Sequence, residues 1–118
     1  MYRGFPMVVL TNKGTASAAE LFTAALKDYK LATVIGKTTR GKGVLQNIYH
    51  LKSWGYAGAV KLTVGYYSPP SGVNYDGVGI LPDMEVALSE QASQVNLSLL
   101  PEADDSQLLA AINSLATK

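Results

Sequence analysis

Residues 6–36 carry the sequence pattern that most restricts the possible folds. Residues 6–11 (PMVVLT) form a continuous apolar run, which predicts a strand buried on both faces of a sheet. Residues 16–30 repeat apolar side chains at helical spacing, and residues 32–36 predict a second short strand. This strand-helix-strand order predicts an α/β protein in which two parallel strands are joined by a right-handed crossover.

Two helices are expected to turn apolar faces toward the core. The second would begin after Asp104 or Asp105, because a carboxylate there accepts hydrogen bonds from the first free N–H groups of a helix. Its apolar face is expected to comprise Leu108, Leu109, Ile112 and Leu115. The corresponding face of the first helix comprises Ala18, Leu21, Phe22, Ala25, Leu26 and Tyr29.

Between these helices the pattern predicts a hairpin followed by turns. Residues 44–51 and 59–67 alternate polar and apolar side chains around a turn at 53–58, as antiparallel strands do. Prolines and glycines keep residues 69–83 in turns, and the short apolar segment 84–88 is expected to be ordered loop or edge strand. The chain is thus expected to combine a mixed β-sheet with flanking helices.

Composition narrows the possible functions. With 118 residues, 47% hydrophobic and 16% charged, the chain is expected to form one folded unit rather than a disordered segment. Ten basic and nine acidic residues form no long block that would indicate nucleic acid or an anionic membrane as a partner. The absence of cysteine excludes disulfide scaffolds, zinc ribbons and cysteine nucleophiles within this chain.

Ser17 lies at the predicted strand-to-helix junction and is a candidate nucleophile. The first N–H groups of a helix lack internal partners, and the helix dipole favours negative charge there. The N–H of Ala18 would therefore face an oxyanion formed after attack by Ser17. The alternative is that Thr15 or Ser17 merely caps the helix, with Glu20 completing a capping box.

Lys42 is the candidate general base for this serine. The sole histidine, His50, lies in a strand pattern with no evident carboxylate partner, so a Ser-His-Asp triad is not favoured. A lysine accepts a proton only when neutral, which requires a desolvated setting. Gly41 and Gly43 lack side chains and would let another segment pack closely and bury the amine. The alternative is that Gly-Lys-Gly is a solvated turn.

Gln46 is a candidate for orienting the Lys42 amine, because its amide oxygen can accept a hydrogen bond. Four residues of extended strand span about 13 Å, which is too far for direct contact between two perpendicular side chains. The hypothesis therefore requires a bend or bulge near Gly43.

These motifs together resemble the active-site signature of the C-terminal processing peptidases, which are tail-specific serine proteases. In that family the catalytic serine precedes the lysine by 25 positions and a glutamine follows four later, as Ser17, Lys42 and Gln46 do here. The string GTASAAE at 14–20 resembles the sequence around the family's serine. Later segments that resemble the family in order are Lys61-Leu62-Thr63, 67–72 (YSPPSG), 77–83 (GVGILPD) and 104–108 (DDSQL).

The resemblance implies roles for individual residues. Ser17 would be the nucleophile, Lys42 the base, Gln46 its orienting partner and the Ala18 N–H one oxyanion donor. The fold would be a ClpP/crotonase-like core. Residues 1–118 would form part of a peptidase catalytic domain, without the PDZ domain and oxyanion strand that lie upstream in the family. A missing sheet neighbour would leave an exposed edge at which a homodimer could form.

The resemblance also implies an extracytoplasmic endopeptidase that cleaves protein substrates near their C-terminal tails. No metal, cofactor or nucleic acid is expected to take part. One alternative is a non-catalytic module that keeps the fold and binds peptide tails. Another is an acyl-CoA enzyme on the related crotonase fold, which would need paired N–H groups and a carboxylate acid or base, and no sequence feature favours it.

Overall fold

The structure, a computed structural model, describes residues 4–117. None of the helices in this range is long and apolar enough to cross a membrane. Short 3₁₀ turns occur at Leu51–Trp54, Leu97–Leu99 and Glu102–Asp104. The strands and helices are β1 (Val8–Thr11), α1 (Ala18–Asp28), β2 (Thr33–Gly36), β3 (Val44–His50), β4 (Ala59–Tyr66), β5 (Met84–Glu85), α2 (Glu90–Ser93) and α3 (Ser106–Ala116).

Strands β1, β2 and β5 form a parallel sheet in that order. Val9 lies opposite Val34 across the first pair, and Ile35 lies opposite Met84 across the second. The parallel pairing of β1 and β2, with α1 between them, confirms the predicted strand-helix-strand unit. The short strand β5 lies at one edge of the sheet, within the segment predicted as loop or edge strand.

The core of the sheet is centred on β2, where Val34 and Ile35 are fully buried. Helix α3 packs against β1 and β2 and covers the sheet. The expectation that the first strand is buried on both faces is wrong, because Leu10 in β1 is 39% exposed. β1 is an edge strand, and the described residues cover its Leu10 side chain only in part.

Helix α1 turns a partly different face inward from the one expected. Phe22 and Tyr29 are 63% and 65% exposed, whereas Glu20, Thr23 and Ala24 are buried. The predicted core-facing stripe is therefore only partly correct, since Leu21, Ala25 and Leu26 are half-buried. Helical periodicity identified an apolar side of α1 correctly, but the hydrogen bonds of Glu20 and close packing of small residues determine which side faces the rest of the chain.

Helix α3 begins where expected but also exposes its apolar face. The Asp105 side chain accepts hydrogen bonds from the N–H groups of Gln107 and Leu108, which confirms it as the cap. Gln107 is buried and donates from Nε2 to the Val86 carbonyl. Polar contacts again decide the buried side, and the predicted face is partly exposed at Leu109, Ile112 and Leu115.

Strands β3 and β4 form the predicted antiparallel hairpin, with His50 opposite Ala59 at its turn and Val44 opposite Tyr66 at its base. The two strands pack chiefly against each other. At the base, the Tyr67 N–H donates to the Gly43 carbonyl over 2.8 Å. The hairpin thus joins the rest of the chain at the end nearest Lys42.

Candidate active site

Ser17 adopts a backbone conformation that non-glycine residues rarely occupy. As the N-cap of α1 it has φ 57° and ψ −120°. The preceding turn is held by Asn12, whose side chain accepts the Gly14 N–H and whose carbonyl accepts the Thr15 N–H. A strained strand-to-helix turn of this kind exposes the nucleophilic serine of α/β-hydrolases. The local backbone is therefore typical of a nucleophile.

The N–H of Ala18 is free at the start of α1. The Ala19 N–H donates to the Ala16 carbonyl and the Leu21 N–H donates to the Ser17 carbonyl, but that of Ala18 has no partner within residues 4–117. A free N–H beside the candidate nucleophile, at the positive end of a helix dipole, is suited to stabilise an oxyanion.

Glu20 connects the Ser17 turn to the loop that carries Lys42. Its side chain is fully buried. One carboxylate oxygen, Oε2, accepts the N–H groups of both Ser17 and Lys42, each over 2.8 Å. The other, Oε1, accepts the Gly41 N–H over 2.6 Å and the Thr39 hydroxyl over 2.5 Å. The two nitrogens that share Oε2 cannot be farther apart than twice 2.8 Å, so the backbones of Ser17 and Lys42 lie side by side.

The carboxyl group of Glu20 is held in its ionised form. Burial raises its pKa, but the hydrogen bonds from Thr39, Gly41, Lys42 and Ser17 together lower the pKa by more than burial raises it. The pKa therefore lies below its usual value. Neither of the ion pairs found in the described chain involves Glu20. Within the described chain its charge is therefore balanced by hydrogen-bond donors alone.

Gly41 and Gly43 pack closely against residues 74–80, which we call the 74–80 turn. A Cβ atom at Gly43 would lie 2.7 Å from the Asp76 nitrogen, and one at Gly41 would lie 2.7 Å from the Gly79 nitrogen. Gly41 also has a φ of 81°. The close approach predicted for the Gly-Lys-Gly motif is therefore present, and the motif is not a simple solvated turn.

Hydrogen bonds join the 74–80 turn to residues before and after Lys42 in the loop. The Ile80 N–H donates to the Thr39 hydroxyl over 2.7 Å, and the Thr39 N–H donates to the Ile80 carbonyl over 3.2 Å. On the other side, the Asn74 side chain donates to the carbonyls of Gly43 and Tyr67. The Lys42 loop is thus bonded both to Glu20 and to the 74–80 turn.

Tyr75 has the only buried side-chain polar atom without a hydrogen-bond partner in the described part of the chain, its hydroxyl. Burial, then the charges of Glu20 and Tyr67, raise the pKa of this hydroxyl. Tyr75 packs with Ala24 and Ile80, and it lines a cavity of about 410 Å³. The candidate side chains Ser17, Lys42 and Gln46 do not line this cavity.

The structure places the predicted site residues with mixed outcomes. Lys42 is half-buried, and its amine makes no hydrogen bond or ion pair to the described residues. Gln46 donates instead to the Thr63 hydroxyl on β4, over 3.4 Å. The required irregularity is present, between Leu45 and Gln46, two residues beyond Gly43. The structure thus brings the Ser17 and Lys42 backbones together but does not pair Gln46 with Lys42.

Sequence reasoning missed the importance of Glu20 and Thr39. Glu20 was considered only as half of a capping box, and its bond to the Ser17 N–H confirms that half. A lone acid on the helix side opposite the apolar stripe is usually solvent-exposed. The sequence signal that could have indicated burial of Glu20 is a second polar residue, Thr23, three positions later on the same side of the helix. His50, which the sequence did not favour as a base, is exposed at the end of β3.

The sequence is similar to those of known peptidases. The model of peptidase family S41 matches residues 2–86. A carboxy-terminal-processing protease of Bartonella bacilliformis is 46% identical over 81 residues, which are 69% of this chain and 18% of that protein. The chloroplastic carboxyl-terminal-processing peptidase 2 of Arabidopsis thaliana is 44% identical over 78 residues, 66% of this chain and 15% of that protein.

A solved structure is similar as well. The photosystem II D1 C-terminal processing protease superposes with a TM-score of 0.64 at 39% identity, covering 71% of this chain and 21% of that one. The chain therefore spans about a fifth of the length of the relatives it matches. The match to the family model includes Ser17, Lys42 and Gln46. The chain belongs to peptidase family S41.

Proposed function

We propose that this chain is part of the catalytic domain of a serine endopeptidase that cleaves protein substrates near their C-terminal tails. Ser17 is the nucleophile and Lys42 is the general base. The observation that carries the proposal is the shared carboxylate oxygen of Glu20, which receives the N–H groups of both residues. Membership of family S41 and the strained Ser17 turn support it.

In the proposed reaction, the Ser17 hydroxyl attacks the scissile carbonyl carbon while the neutral Lys42 amine takes its proton. The Ala18 N–H stabilises the oxyanion that forms. When the intermediate collapses, the C–N bond breaks and the departing amine takes the proton from Lys42. Water, activated by Lys42, then attacks the ester of Ser17 and releases the new carboxylate. Gln46 bonds to Thr63 in the structure, so the proposed role of orienting the Lys42 amine requires Gln46 to change partner.

Ala18 is the one oxyanion donor proposed among residues 4–117, and we propose that the whole protein supplies a second. Removing one such donor typically lowers the rate by about 10² to 10³, so the chain by itself is expected to react slowly. The ClpP/crotonase-like relationship of the core and an extracytoplasmic location belong to the same proposal.

Homodimer formation through the sheet edge is also proposed. β1 lies at an edge of the parallel sheet and Leu10 on it is exposed, so another strand could pair there. Light scattering after size-exclusion chromatography checks this point. A monomer at high protein concentration would contradict it.

Labelling with a fluorophosphonate, which reacts with activated serines, tests the catalytic assignment. We expect intact mass to show one adduct at Ser17 in the full-length protein. Ser17→Ala should abolish the adduct, and Lys42→Ala should slow its formation by about 10² to 10⁴. The matched controls Ser53→Ala and Lys52→Ala lie in the exposed hairpin turn and should leave labelling unchanged.

Two results would contradict the assignment. Labelling that persists in Ser17→Ala would place the nucleophile elsewhere. Absence of labelling in the full-length protein, together with binding of a tail peptide, would favour the non-catalytic module that keeps the fold.

A further inference from the structure

Glu20 combines complete burial, a negative charge and no cationic partner among residues 4–117. Burying a carboxylate without such a partner is strongly unfavourable unless hydrogen bonds satisfy its oxygens. Here each oxygen accepts two hydrogen bonds, three of them from backbone N–H groups and one from the Thr39 hydroxyl. Glu20, the only buried charged side chain among the described residues, thus holds backbone segments together.

The geometry of a carboxylate makes this contact rigid. Its two oxygens are fixed in one plane, so donors bonded to them are held at a set separation and angle. Oε2 receives Ser17 from the start of α1 and Lys42 from the loop, while Oε1 receives Gly41. A further bond, from the Arg40 N–H to the Thr15 carbonyl over 2.9 Å, links the same two segments.

The bond to Ser17 also supports its strained backbone. A non-glycine residue with positive φ keeps that conformation only where its surroundings enforce it. Glu20 accepts the N–H of the strained residue itself. A change at Glu20 would therefore alter both the orientation of Ser17 and its position relative to Lys42.

We infer that Glu20 is a positioning residue that sets the placement of the Ser17 hydroxyl relative to the Lys42 amine. This inference rests on the proposed function of Ser17 and Lys42. Glu20 acts through backbone amides and does not itself transfer a proton, because its oxygens are engaged by four donors. Thr39 extends the same arrangement, since its hydroxyl donates to Glu20 and accepts the Ile80 N–H.

A double-mutant cycle in the full-length protein tests this role. The second-order rate of Ser17 labelling by a fluorophosphonate is measured for Glu20→Gln with Lys42 present and with Lys42→Ala. Rates are normalised to the folded fraction, obtained from near-UV circular dichroism. We expect Glu20→Gln to slow labelling by at least about tenfold when Lys42 is present and by less than about threefold in Lys42→Ala.

Other variants keep the test independent of folding. Glu20→Asp retains the charge but is one methylene shorter, and is expected to label at an intermediate rate. If Glu20→Gln does not fold, Thr39→Val removes one donor and leaves the carboxylate, and should show the same dependence on Lys42 with a smaller fall. Glu85→Gln removes an exposed carboxylate paired with Lys37 and should change nothing.

Turnover of a peptide substrate provides a second readout. A positioning role predicts that Glu20→Gln lowers kcat and leaves KM nearly unchanged, because substrate contacts are not altered. Equal slowing of labelling in both Lys42 backgrounds, or no slowing at all, would overturn the inference. Lys42→Ala that labels at the wild-type rate would instead overturn the proposed dyad, and the role of Glu20 with it.

Discussion

The surroundings of Glu20 and the β3–β4 hairpin are held in opposite ways. Around Glu20, polar groups are buried and bonded to one another, and the Lys42 loop is fixed on both sides. In the hairpin, backbone pairing is regular, but apolar side chains such as Ile48 and Leu62 are 60% and 50% exposed. One region is specified by buried hydrogen bonds, and the other is a paired ribbon with little packed against it.

This difference indicates where order at the candidate site originates. A two-stranded hairpin alone is marginally stable in water, so it cannot rigidly position Lys42 from one side. Buried polar bonds are directional and costly to break, and they fix relative orientation more tightly than apolar contact does. The position of Lys42 is therefore expected to depend on Glu20 and the 74–80 turn more than on the hairpin.

Removing the Glu20 carboxylate should produce the largest difference in stability between the two regions. Glu20→Ala leaves the N–H groups of Ser17, Gly41 and Lys42 without their acceptor, and we expect a loss of about 3–5 kcal/mol in the free energy of unfolding. Asn47→Ala, an exposed polar truncation in β3, should cost less than about 0.5 kcal/mol. Urea unfolding followed by circular dichroism measures both, and similar losses would contradict the proposed difference between the regions.

A methyl group added to a glycine should have opposite effects in the two regions. Gly43→Ala places a Cβ 2.7 Å from the Asp76 nitrogen, so we expect a loss of about 1–3 kcal/mol and slower Ser17 labelling. Gly65→Ala in β4 meets no atom within 4 Å and should stabilise by about 0.5 kcal/mol. Thermal unfolding of both variants checks this. If Gly43→Ala leaves the stability unchanged, the 74–80 turn can move to accommodate the added methyl group.

Acid should weaken the surroundings of Glu20 selectively. The pKa of Glu20 is lower in the folded chain than its usual 4.5, so the stability it contributes is present above that value and is lost as pH falls through the folded pKa. Wild-type protein should lose more stability than Glu20→Gln over this range. Asp83, whose pKa is also lowered, contributes equally to both proteins. Urea midpoints at successive pH values test this, and parallel curves would contradict it.

The smallest effect is expected at Tyr75. Its buried hydroxyl has no hydrogen-bond partner in the described chain, so Tyr75→Phe removes an unsatisfied group without changing ring packing. We expect unchanged stability or a gain of up to about 1 kcal/mol. Thermal unfolding measures the change. A loss above 1 kcal/mol would indicate that the hydroxyl has a partner, such as a bound water.

Much of the fold could be predicted because local patterns determine it. The parallel pair β1 and β2, the hairpin and the Asp105 cap all follow from side-chain periodicity and capping chemistry. The inward faces of α1 and α3 could not be predicted, because periodicity reveals an apolar stripe but not the surface that it meets. Phe22 and Ile112 belong to the predicted apolar stripes but are exposed.

Candidate site residues could be proposed from the sequence, but their connections could not. Spacing and resemblance predicted Ser17 and Lys42 as candidates, and the contact between their backbones depends on Glu20, which bonds to both. Thr39 and Asn74 likewise bond to residues distant in sequence. Such contacts follow from tertiary structure, and short motifs do not encode them.

The shared carboxylate also gives the site a spectroscopic signature. Amide protons bonded to a charged oxygen are expected to resonate downfield of ordinary amides, so those of Ser17, Gly41 and Lys42 should form a displaced group in a nitrogen-proton correlation spectrum. Because one ionisation controls all three, their chemical shifts should move together during an acid titration. NMR could therefore follow the integrity of the site without a substrate or an inhibitor.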